Sequence, residues 1–110
     1  MTEDTESKIK ELQLIEQNAQ QYLMQKQQFQ TQLIEIESAL KELKKSDTSY
    51  KIVGNIMVKT NNDELNKDLS KKKEMFDLRI KTLEKQEEKL KSKAKDIQKE
   101  VLGEMKNDTK

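Results

Sequence analysis

The sequence predicts a mainly α fold with a small β element: a long antiparallel two-helix coiled coil with a β-hairpin at the helix-helix connection. Apolar residues recur with a 3.5-residue period on both sides of the middle of the chain. A short segment at the midpoint instead has the composition of two strands around Gly54-Asn55. With 39% charged and 32% hydrophobic residues, the chain has little material for a thick globular core. We therefore expect a single domain over residues 1–110.

The first helix is expected over about residues 5–46. Its seam positions are spaced alternately by three and four residues, and nine of the ten are apolar. They are Leu12, Ile15, Ala19, Tyr22, Lys26, Phe29, Leu33, Ile36, Leu40 and Leu43. A 3.5-residue period sustained over more than four heptads is typical of a coiled coil, whereas a surface helix would drift at 3.6. Turn-forming residues and helix-end lysines follow from Lys44 to Ser49, and they predict the end of the helix.

The hairpin is expected over residues 50–60, with Gly54-Asn55 as a two-residue primed turn. Glycine accepts the positive φ that the first central position demands. This register pairs Tyr50 with Lys59 and Val53 with Ile56, so that both faces of the hairpin are mostly apolar. Two apolar faces and two open edges favour a sheet shared between subunits over a hairpin folded against its own helices. The residues assigned to oligomerisation are Tyr50, Ile52, Val53, Gly54, Asn55, Ile56, Met57 and Val58.

The second helix is expected over residues 62–105, with Asn61 as its N-cap and residues 106–110 as a flexible tail. Its seam again alternates by fours and threes, with eight apolar positions of ten. The seam comprises Leu69, Lys73, Phe76, Ile80, Leu83, Glu87, Leu90, Ala94, Ile97 and Val101. Folding the chain back on itself brings Lys26 close to Glu87. Either the two charges pair across the seam and set its register, or each extends independently to water.

Composition argues against several functional classes. There is no histidine, cysteine or tryptophan, only two glycines and no glycine-rich phosphate loop, so we expect neither an enzyme nor a bound cofactor or metal. The net charge is +1, and therefore no overall field attracts nucleic acid or an acidic membrane. The start of the chain lacks the features of a signal peptide, and no 18-residue apolar stretch exists, so the expected location is the cytoplasm, without membrane contact.

The midpoint hairpin, Tyr50-Lys51-x-x-Gly54-Asn55-Ile56-Met57-Val58, precedes a helix that contains Lys81-Thr82-Leu83-Glu84-Lys85-Gln86-Glu87-Glu88-Lys89. With matched helices on both sides, this pattern resembles the β subunits of archaeal-type prefoldin over nearly the whole chain. The resemblance implies a hexamer of two α-type and four β-type subunits, whose hairpins join into a platform carrying six coiled-coil arms. It also implies an ATP-independent chaperone, or holdase, that captures unfolded proteins at the arm tips and delivers them to a group II chaperonin.

The tip expected from this resemblance lies where the two chain ends meet. Apolar residues persist there, although a coiled coil should fray at its end; they are Ile9, Leu12, Leu14, Val101, Leu102 and Met105. Leu14 and Leu102 fall off the seam. Exposed apolar residues and an adaptable methionine suit promiscuous capture of unfolded chains. In the absence of the resemblance, an imperfect coil end without a ligand is the simpler interpretation.

Two other functions remain as alternatives. A nucleic-acid-binding helical arm would use the lysines between Lys71 and Lys73 and between Lys91 and Lys95 as phosphate contacts. Acidic residues flank those lysines, namely Asp68, Glu74, Glu88 and Asp96, and the chain has one arginine, Arg79, which weakens this interpretation. A passive coiled-coil scaffold accounts for the heptads but not for the hairpin.

Overall fold

The fold consists of two long helices and a two-stranded hairpin between them. The computed structural model describes residues 2–108, with the side chains of residues 2–106. Its elements are helix α1 (Glu3–Lys45), strand β1 (Ser49–Val53), strand β2 (Ile56–Thr60) and helix α2 (Asn62–Asp108). The predicted fold class, two long helices joined by an antiparallel hairpin, is confirmed.

Helix α1 begins two residues earlier than the sequence pattern indicated because Thr2 caps it. The backbone N–H of Thr5 donates to Thr2 Oγ1 at 3.2 Å, and the N–H of Glu6 donates to the Thr2 carbonyl at 3.1 Å. These bonds satisfy donors that the first turn of a helix otherwise leaves without partners. Helix α2 is capped as predicted, since the N–H of Asp63 donates to Asn61 Oδ1 at 2.8 Å.

Helix α2 continues through Asp108, three residues beyond the expected end at residue 105. The sequence predicts a flexible tail over residues 106–110. Residues 106–108 belong to the helix instead, and residues 109 and 110 lie outside the described residues. Contacts of Glu104 with the first helix, described below, tie down the last turns and give a physical reason for the longer helix.

The chain divides into two compact units, which are described separately. The terminal unit combines Met1–Lys26 with Thr82–Lys110, and the hairpin unit is Gln27–Lys81. In the terminal unit the buried core consists of Ile15, Ile97 and Val101, with four further apolar residues packed against it: Ile9, Leu12, Leu90 and Ala94. Leu83 is also buried there. Apart from Ile9, all of these residues lie at predicted seam positions.

In the hairpin unit, Ile36 and Ile80 are buried, again at predicted seam positions. The rings of Phe29 and Phe76 pack with centroids 5.6 Å apart and tilted by 31°. The guanidinium carbon of Arg79 lies 5.5 Å from the centroid of the Phe29 ring, a cation–π geometry. Over the described residues, neither helix contains an apolar stretch long enough to span a bilayer.

Candidate functional site

The hairpin has the predicted register. Tyr50 lies opposite Lys59, and Val53 lies opposite Ile56. Gly54 has φ of +60°, whereas Asn55 does not have a positive φ. This matches a type II′ turn, in which only the first central residue needs the left-handed region. The turn residues therefore predict the strand register, and Gly54 is the turn residue that adopts the positive φ.

The apolar side chains of the hairpin are exposed on both faces. On one face these are Val53, Ile56 and Val58, and on the other they are Tyr50, Ile52 and Met57. The helices of the hairpin unit leave each of these side chains at least 46% exposed. A two-stranded sheet with uncovered apolar faces is at best marginally stable in water, and its outer edges carry unpaired backbone groups. These features make the hairpin a candidate interface.

A hydrogen-bond network holds the base of the hairpin against the helix ends. The buried hydroxyl of Ser49 donates to Asn62 Oδ1 and contacts the Thr60 carbonyl at 3.3 Å. The side-chain amide of Asn62 donates to the Ser46 carbonyl at 2.6 Å. Ser46 Oγ in turn donates to the Thr48 carbonyl at 2.6 Å. Because side chains satisfy this junction, the strands leave the helices in a defined direction rather than through a loose loop.

The six predicted tip residues fall into two groups in the terminal unit. Ile9 and Leu12 are half-buried against the core, and Val101 is buried within it. Leu14, Leu102 and Met105 are exposed. The coil end is thus packed rather than frayed, and only the second group faces solvent. Leu102 and Met105 are three residues apart, so they are neighbours on the surface of α2.

Three polar residues join the two helices beside these apolar groups, and we call them the terminal clasp: Thr5, Lys8 and Glu104. Thr5 is fully buried, and its hydroxyl donates to Glu104 Oε2. Lys8 Nζ donates to Glu104 Oε1 and also lies 3.4 Å from Glu100 Oε2. The hydrogen bond from Lys8, followed by that from Thr5, lowers the pKa of the Glu104 carboxyl. The bond to Glu104 likewise raises the pKa of Lys8.

The clasp was not predicted from the sequence because each predicted seam ended at an apolar residue, Leu12 in α1 and Val101 in α2. Continuing the three-four alternation backwards from Leu12 reaches Lys8 and then Thr5, and continuing it forwards from Val101 reaches Glu104. All three clasp residues therefore occupy seam positions. The unbroken heptad spacing was the available signal.

A second polar contact lies within the seam, where Lys26 and Glu87 pair as one of the two sequence hypotheses proposed. Lys26 Nζ lies 3.0 Å from Glu87 Oε1 and donates to Oε2 at 3.3 Å. The side chains are 18% and 27% exposed, and Oε1 is buried without another partner. The Lys26 ammonium thus compensates the charge of the Glu87 carboxylate, which is partly removed from water.

Among the described residues there is no acidic, histidine or cysteine cluster suited to hold a metal ion.

Comparisons with known proteins agree with this architecture. The family model described as "Prefoldin subunit" matches residues 6–107. The prefoldin subunit beta of Archaeoglobus fulgidus is 40% identical over 96 residues, covering 84% of this chain and 83% of that protein. The prefoldin subunit beta of Methanothrix thermoacetophila is 35% identical, covering 91% of this chain and 88% of that protein.

A solved structure is similar over the same extent. The crystal structure of the prefoldin beta subunit from Thermococcus strain KS-1 matches with a TM-score of 0.87 and 30% sequence identity. The match covers 93% of this chain and 92% of that one. Sequence and structure thus agree over nearly the full length, including the midpoint hairpin. The chain therefore belongs to the prefoldin subunit family of chaperones, and the relatives that it resembles are beta subunits.

Proposed function

We propose that this chain is one subunit of an ATP-independent holdase. In this proposal its hairpin assembles with the hairpins of an α-type subunit and of other copies of this chain, in a hexamer of two α-type and four β-type subunits. The terminal unit captures unfolded proteins, and the assembly passes them to a group II chaperonin in the cytoplasm. The observation that carries the proposal is the hairpin, whose apolar side chains are exposed on both faces.

The hairpin supports the assembly step through its uncovered apolar side chains. Burying a side chain of the size of Ile52 or Ile56 gains about 1.5–3 kcal/mol relative to leaving it exposed. The register leaves both outer strand edges free to accept a further strand. A neighbouring hairpin of the same kind satisfies both requirements at once.

The terminal unit supports the capture step through Leu14, Leu102 and Met105. These side chains are exposed and lie near the chain ends, and charged residues are close to Leu14 in the sequence, among them Glu11, which pairs with Lys93 at 3.2 Å. Isolated apolar groups on a charged surface favour weak contacts with any chain that exposes similar groups. No nucleotide is required for capture by a binding equilibrium alone.

The capture step can be tested with matched substitutions. Leu14 and Leu102 are 56% and 59% exposed, whereas Met24 and Ile34, away from the chain ends, are 61% and 64% exposed. We expect the Leu14→Ser/Leu102→Ser variant to lose most of its ability to suppress aggregation of a chemically unfolded protein. The Met24→Ser/Ile34→Ser control should retain it. Equal suppression by both variants would exclude capture at the chain ends.

The assembly step has an independent test. Ile52→Lys/Val53→Lys places one charge on each face of the hairpin, and we expect it to prevent assembly while the helices still form. Native mass spectrometry of the chain, alone and mixed with an α-type subunit, measures the stoichiometry. If this variant forms the complex of two α-type and four β-type subunits as well as the wild type does, the hairpin is not the assembly interface.

A further inference from the structure

The terminal clasp lies where a two-helix coil is least stable. Helix ends fray because their last turns lack neighbours on one side. Here the end nevertheless contains a fully buried residue, Thr5, whose hydroxyl donates to Glu104. Since the single hydroxyl proton of Thr5 points at Glu104, its 2.9 Å contact with Thr2 Oγ1 is donated by Thr2. The clasp is therefore a connected network that joins the start of α1 to the end of α2.

The clasp lies next to apolar residues that are covered only while the end stays closed. Lys8 immediately precedes Ile9, and Glu104 lies three residues after Val101, about one helical turn away. Ile9 and Leu12 pack against the core that contains Val101. Opening the last turns would uncover these three side chains next to the already exposed Leu102 and Met105.

The clasp is polar at positions where an apolar pair would close the end more permanently. The side chains of Lys8 and Glu104 are 27% and 30% exposed, so water reaches both charges and can replace their contact. An apolar contact at the same seam positions has no such replacement in water. Because the clasp residues are polar but occupy seam positions, the two helix ends pair in a defined register and can still separate.

We infer that Thr5, Lys8 and Glu104 are positioning residues that control how much apolar surface the terminal unit offers to an unfolded chain. The inference rests on the proposed capture function. In the closed state Leu14, Leu102 and Met105 make the first contacts. When the clasp opens, three further side chains, Ile9, Leu12 and Val101, join the binding surface. The ligand is an extended polypeptide segment with apolar side chains. Such a segment can contact both the three exposed residues and the three that opening uncovers.

The test breaks the clasp from each side in the full chain, within the oligomer that it forms. Glu104→Gln and Lys8→Gln each remove one charge and keep a polar side chain at the seam position. Glu88→Gln is the control, because it removes the same charge from an exposed position of α2. The swap Lys8→Glu/Glu104→Lys restores an ion pair with reversed polarity. Hydrogen exchange measures opening, and fluorescently labelled, reduced and carboxymethylated α-lactalbumin serves as the permanently unfolded probe.

We expect both clasp variants to show several-fold faster amide exchange in residues 5–12 and 98–105, with unchanged exchange in residues 62–81. They should also bind the probe several-fold more tightly, and the swap should return both quantities toward wild type. Exchange that is unchanged near the chain ends overturns the inference. Faster exchange with equal or weaker probe binding overturns it as well. If the wild-type oligomer does not bind the probe at all, the proposed capture function fails, whereas the exchange results still report on the clasp.

Discussion

The pair of Lys26 and Glu87 provides the sharpest test of how this seam keeps its register. At 3.0 Å, two unit charges attract by about 5.5 kcal/mol at an effective dielectric constant of about 20. Removing both groups from water offsets most of that gain, since full burial costs several kcal/mol per ion. With side chains 18% and 27% exposed, we expect a net coupling of about 1 kcal/mol.

A double-mutant cycle measures this coupling. Lys26→Met leaves the buried Oε1 of Glu87 without its cation, and we expect it to lower the free energy of unfolding by about 1–3 kcal/mol. Adding Glu87→Met should recover most of that loss, because an apolar pair needs no compensation in the seam. Urea unfolding followed by far-UV circular dichroism gives the free energies, at one fixed subunit concentration because assembly contributes to stability.

The matched control is the pair of Glu11 and Lys93, which has the same residue types at a similar distance of 3.2 Å. Its side chains are 43% and 61% exposed, so the same cycle should give less than about 0.5 kcal/mol. If the coupling of Lys26 with Glu87 does not exceed that of the control, burial in the seam has not strengthened the pair. The pair of Lys26 and Glu87 would then not set the register of the seam.

Three further predictions follow from the same contacts. Ile97→Ala should lower the free energy of unfolding by about 2–4 kcal/mol in urea titrations, because the side chain is buried in the core. Leu102→Ala, on the exposed surface, should change the free energy of unfolding by less than about 0.5 kcal/mol, and equal effects would contradict the assigned packing. Gly54→Ala should lower the free energy of unfolding by about 1 kcal/mol in the same titrations, because the turn needs a positive φ, although no atom lies within 4 Å of the added methyl group. Gly103→Ala, in a helix, should instead raise the free energy of unfolding. A stabilising substitution at Gly54 would exclude the assigned turn. The hydrogen bonds from Lys8 and Thr5 lower the pKa of Glu104, so its contribution to stability is complete above the unfolded-state pKa and is lost as the pH falls through the lowered folded-state pKa. The melting temperature of Glu104→Gln should therefore decline less steeply than that of the wild type as the pH falls through this range, and parallel curves would contradict the contact.

Apolar periodicity and the turn residues predicted most of the fold. The buried residues Ile15, Ile36, Ile80 and Ile97 all occupy positions chosen from the three-four alternation. The Gly54-Asn55 turn predicted the strand register residue by residue. These features depend on local chain geometry, in which the identity of a residue and its spacing determine which face it occupies.

The site was predicted less completely, because its contacts involve residues distant in the sequence. Fraying was expected to expose Val101 and Ile9, whereas the clasp keeps the coil end packed. Thr5 gave no apolar signal, although its spacing fits the seam. The stacking of Arg79 over Phe29 depends on the rotamers of neighbouring turns, which spacing does not determine.

The position of the hairpin at the centre of the sequence has a consequence for the order of folding. Contacts at its base close only a short loop, since Ser49 and Thr60 are 11 residues apart. The separation rises to 61 residues for Lys26 with Glu87 and to 99 for Thr5 with Glu104. Direct closure of long loops is slow, but each turn that pairs next to an existing contact closes only a small additional loop. We therefore expect contacts to form from the hairpin outward, so that Lys26 pairs with Glu87 before Thr5 pairs with Glu104.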